Sequence, residues 1–114
     1  MPKFHIDYQN TVLYKIVCND ANVNDVYIGY TTNFTKKKYQ HKNACNNPNY
    51  RGHQLKSYKV IRENGGWDNW SMIEIEKYPC NGTNEASKRE RYLMVTMKAF
   101  LNSYIRMPKR PKKN

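Results

Sequence analysis

The chain has 114 residues, and its 20 Lys and Arg outweigh 9 Asp and Glu to give a formal net charge of +11 and a pI near 9.7. That length supports one compact domain, and 39% hydrophobic content supplies a core and argues against global disorder. No stretch of about 18 consecutive apolar residues is present to span a membrane, and Asp7, Gln9 and Asn10 interrupt the run a secretory signal needs. The expectation is an intracellular protein of cytoplasm or nucleus, not a secreted one.

Residues 11 to 18 are β-branched or aromatic with period two, which predicts a strand with Val12, Tyr14, Ile16 and Cys18 on one face. Asn/Asp-rich turn material follows, and Val26 to Gly29 returns as the second strand of an antiparallel hairpin, bringing Tyr14 and Tyr27 near each other. Thr31, Thr32 and Asn33 offer an N-cap, and Phe34 to Cys45 continues without Gly or Pro until Pro48, which predicts a helix of about three turns. Its inner stripe is Phe34, Lys37, Lys38, His41, Ala44 and Cys45, so cations stand where a core helix carries Leu or Ile. A second helix is expected over 54–64, with Leu55, Tyr58 and Ile61 in phase and Asn64-Gly65-Gly66 as its stop. A third strand follows from Trp70 to Tyr78; Trp67 and Trp70, which lead into it, read as core or rim aromatics.

The last helix is expected from about Asn84 to Ala99. Its stripe is Ala86, Leu93 and Met97, then Phe100 or Leu101, and Glu90 falls in the same stripe. A carboxylate against a core costs several kcal/mol, about that order, unless a cation compensates it. The order β-β-α-α-β-α therefore predicts an α+β fold, a small three-stranded antiparallel sheet flanked by helices. One domain is expected over 1–105. Residues 106–114 carry Arg106, Lys109, Arg110, Lys112 and Lys113 beside Pro108 and Pro111 and read as a flexible basic tail.

A strongly basic small protein attracts polyanions such as nucleic acid. Phosphodiester hydrolysis needs a deprotonated water, positive charge around the phosphate and stabilisation of the leaving oxygen. Tyr14 or Tyr27 is a candidate to orient or activate the water, Lys37 and His41 lie one helical turn apart to meet the phosphate, and Glu90 is the candidate metal ligand. No second carboxylate stands in register with Glu90, so one ion is expected, not two. Cys18, Cys45 and Cys80 are far apart, with no CxxC or CxxH pair to open a zinc site, and read as small packed thiols.

Val12-Leu13-Tyr14, Tyr27-Ile28-Gly29, Lys37 with His41 four residues on, and Glu90 within Arg89-Glu90-Arg91-Tyr92-Leu93 together resemble the GIY-YIG endonuclease superfamily in order and spacing, over residues 11 to 102. The resemblance implies a nuclease sandwich around a three-stranded sheet and DNA cleavage with one Mg²⁺ or Mn²⁺ ion. It implies that Tyr14 and Tyr27 flank the nucleophilic water, that Glu90 holds the metal and that His41 assists at the phosphate or the tyrosine. Lys37 falls where the family usually carries arginine, a point charge in place of a planar fork. Asn102 sits where many members carry an asparagine. The expected DNA contacts are Lys36, Lys38, Lys42, Arg89, Asn102, Arg106, Lys109 and Arg110. DNA is the expected partner and a membrane is not, with a protein partner or a second copy to direct targeting. The competing expectation is a nuclease-like nucleic-acid-binding protein with weak or lost catalysis.

Overall fold

The computed structural model describes residues 6–99 and residue 101. A three-stranded antiparallel sheet forms the middle layer, in the order β2-β1-β3. Its strands are β1 (Val12–Cys18), β2 (Val26–Thr31) and β3 (Trp70–Lys77). Helices α1 (Phe34–Asn46) and α2 (Lys56–Glu63) connect β2 to β3, and α3 (Thr83–Thr96) follows the sheet. The α+β class and the order of elements are those the sequence predicts.

The central strand is buried on both faces, which period two alone did not foresee. Tyr14 and Ile16 pack with Cys45 of α1, Ile61 of α2, Trp67, Trp70, Met72 and Leu101. Leu13, assigned by the alternation to the opposite face, is fully buried with Ile28, Leu93 and Ala99. A strand covered by helices on both sides loses the apolar/polar alternation, because neither face meets water. A β-bulge accommodates the change. Leu13 pairs with Glu76 and Tyr14 with Glu74, so Ile75 is the extra residue of β3, and its side chain joins the cluster around Leu13.

Three local expectations shift. Leu55 is not in the buried stripe of α2: it is the N-cap residue, 43% exposed, and Ser57 takes the inward place beside Ile61. Lys38 does not share the inner side of α1, where His41, Ala44 and Cys45 are buried; it is exposed, while Lys37 is half-buried. The last helix ends at Thr96, and Lys98 takes a left-handed backbone (φ 53°), which turns the chain so that Ala99 and Leu101 re-enter the core on different faces.

Asn33 caps α1, its side chain accepting from the Lys36 amide at 3.0 Å. Arg62 Nη1 donates to the Cys45 carbonyl at 3.0 Å and ties α2 to the end of α1. Among the described residues, no helix is long and apolar enough to cross a membrane.

Candidate active site

Strand β1 delivers Tyr14 to the α1 face of the sheet, and β2 delivers Tyr27 beside it. Their rings lie 6.4 Å apart between centroids and 29° from parallel. Opposite Tyr14 in the register is Gly29, where a Cβ would overlap the Tyr14 hydroxyl. Glycine is required there for space. Tyr14 itself is 2% exposed.

Helix α1 places His41 over both phenols. Nε2 lies 2.8 Å from the Tyr14 hydroxyl and Nδ1 lies 2.7 Å from the Tyr58 hydroxyl, so the imidazole bridges β1 and α2. The Trp67 indole stacks on the ring at 6.2 Å and 20°, and Tyr27 meets it edge-on at 5.6 Å. Burial, helped by the Lys37 ammonium one turn earlier on α1, lowers the His41 pKa to about 4, so the ring is neutral at physiological pH. Burial also raises Tyr14 far above the usual phenol range, and Tyr27, Tyr58 and Glu90 add to the rise because each would repel a phenolate. Glu90, half-buried on α3, thus acts on the same phenol from a third element.

The structure therefore brings together Tyr14, Tyr27, Lys37, His41 and Glu90, residues spread over 76 positions. Lys36, Lys38 and Lys42 are exposed on α1. Lys36 and Lys37 line a polar cleft of about 430 Å³ at the start of that helix, with Asp7, Asn10, Thr31 and Asn33. Arg89, the chain neighbour of Glu90, is engaged with β3. Its guanidinium makes a two-pronged ion pair with Glu76, one prong Nη2 to Oε1 at 3.0 Å, and lies over the rings of Tyr92 and Tyr78. Asn102, Arg106, Lys109 and Arg110, and the tail as a whole, lie outside the described residues.

A family model described as the GIY-YIG catalytic domain matches residues 10–104. The chain belongs to the GIY-YIG catalytic domain family. No curated protein and no solved structure gives a match. Membership implies nuclease activity on DNA, and nucleases of this family generally use divalent metal ions. In this GIY-YIG domain the first half-motif reads Val12-Leu13-Tyr14 and keeps the tyrosine that His41 engages. Sequence reasoning missed Tyr58, which it took as one of three apolar positions of α2. The available signal was a hydroxyl-bearing ring in an inward stripe, since a buried phenol needs a partner.

Proposed function

We propose that the protein is a DNA endonuclease that hydrolyses a phosphodiester bond with one divalent metal ion and a tyrosine–histidine pair to receive the proton of the attacking water. The observation that carries this reading is the 2.8 Å approach of the Tyr14 hydroxyl to His41 Nε2. A phenol as hard to ionise as Tyr14 is a poor base by itself. Coupled to a neutral imidazole, it can take a proton from water on its oxygen as its own proton passes to Nε2, with no free phenolate formed. Tyr27, half-buried beside Tyr14, orients the water. Lys37 supplies positive charge to the phosphate oxygens.

Glu90 would hold the metal ion. Among the described residues no group of three or more His, Cys, Asp or Glu gathers to cage a cation. Glu76 and Glu74 are committed to Arg89 and Lys77. A single carboxylate fits a hard cation such as Mg²⁺ or Mn²⁺, which keeps water and phosphate oxygens as its other ligands. When bound, such an ion supplies charge stabilisation at the phosphate and the leaving oxygen.

Nicking of supercoiled plasmid tests the reading. The parent is expected to cleave with Mg²⁺ or Mn²⁺, and Glu90→Ala to lose at least 100-fold, on the order of one electrostatic stabiliser removed. Lys37→Arg should retain or raise the rate and Lys37→Ala should lower it at least 10-fold. A parent that binds DNA in a salt-dependent manner yet never cuts would instead select the binding-protein reading, which the lysine at the arginine position favours.

A further inference from the structure

A neutral imidazole carries one N–H, so of the two phenols on His41 one donates to the ring and the other accepts from it. Their burial decides which. A phenol that accepts must direct its own hydrogen elsewhere. Tyr14 is 2% exposed and has His41 Nε2 as an acceptor 2.8 Å from its hydroxyl, whereas Tyr58 is half-buried and can turn its hydrogen outward. Tyr14 therefore donates to Nε2, and Nδ1–H points at the Tyr58 oxygen, 2.7 Å away. We infer that Tyr58 is a positioning residue: by accepting the Nδ1–H of His41 it fixes the Nδ1-protonated tautomer and keeps the Nε2 lone pair aimed at the Tyr14 hydroxyl.

The groups around the ring agree with that role. From β1 comes Tyr14, from β2 Tyr27, from α2 Tyr58, from α1 itself Lys37, and the Trp67 indole lies against the ring plane. Histidines that handle protons commonly have their second nitrogen held by a carboxylate or a carbonyl. A phenol orients the ring equally well but brings no negative charge, so it selects the tautomer without making the imidazole a stronger base in advance. The Trp67 stack restricts rotation out of the plane that both hydrogen bonds need. The catalytic consequence rests on the endonuclease reading; the tautomer does not.

The test begins with the metal-free, DNA-free parent at pH 7, in which nitrogen-15 NMR reports which ring nitrogen of His41 carries hydrogen. A protonated Nδ1 and a bare Nε2 are expected; a protonated Nε2 overturns the inference outright. Tyr58→Phe keeps the ring and removes the acceptor, and should move the hydrogen towards Nε2. In plasmid nicking it should lower kcat at least 10-fold with little change in KM for DNA, and Tyr58→Gln, whose amide oxygen can accept from Nδ1–H, should recover part of the loss. If Glu90→Ala abolishes cleavage while Tyr58→Phe cuts like the parent, the Tyr58 role is wrong and the nuclease reading stands. If the parent never cuts, the nuclease reading fails, and the tautomer measured in the parent still decides the role of Tyr58.

Discussion

His41 is the residue at which several environments meet, and its ionisation should be visible in stability. Its folded pKa, about 4, lies below the usual histidine value of 6.5 because the buried ring resists charging beside Lys37. The unfolded chain therefore binds the proton more readily, and stability rises with pH across this window. The contribution is complete above pH 6.5 and is lost as pH falls towards 4. It amounts to at most about 3 kcal/mol, more than half of it gone by pH 5. Urea unfolding between pH 7 and 4.5 should show this loss in the parent and a flatter dependence in His41→Gln, the difference isolating His41 from the carboxylates. The sequence made His41 legible as a histidine one turn from a lysine. That its second nitrogen meets Tyr58 was not legible, because α2 is separated from α1 by a loop whose path no periodicity encodes.

At the scale of elements, the site depends on how closely β1 and β2 approach. Tyr14 lies across Gly29, its register partner, and the ring fills the space a side chain at 29 would need. Gly29→Ala should push the phenol off His41, lower the unfolding free energy by about 1–3 kcal/mol through overpacking, and reduce plasmid nicking more than 10-fold. Thermal melting and the nicking assay read the two effects separately; full activity would mean that the phenol need not stay where it lies. Helix α3 shows the opposite relation between sequence and structure. Its stripe correctly placed Ala86 and Leu93 inside, yet the helix stops at Thr96, so Met97 is reached as a cap and not as a further turn. Arg89, an expected DNA contact, is also paired with Glu76, which fastens α3 to β3; that pairing is not legible in the sequence because the partner lies on another element.

For the whole molecule, charge is the property that composition fixes. With a net charge of +11, DNA binding should weaken steeply with salt. Truncation after Tyr104 removes five of the 20 Lys and Arg, and if these meet phosphates the slope of log affinity against log salt should fall by up to about 4.5. Filter binding or fluorescence anisotropy over a salt series measures it, and an unchanged slope would assign binding to α1 and its neighbours alone.

By itself the sequence determined the charge, the succession of strands and helices, and the nearness of two tyrosines across a hairpin. These follow from local periodicity and turn chemistry, which act over a few residues. Only the tertiary structure decided that Leu13 and Tyr14, neighbours on one strand, are both enclosed, that Lys38 faces water while Lys37 approaches the imidazole, and that Glu90 acts on a phenol 76 positions away. Periodicity states which residues share a face of one element. Which faces come to lie together is set by the joint burial of all of them, a property of the packed molecule.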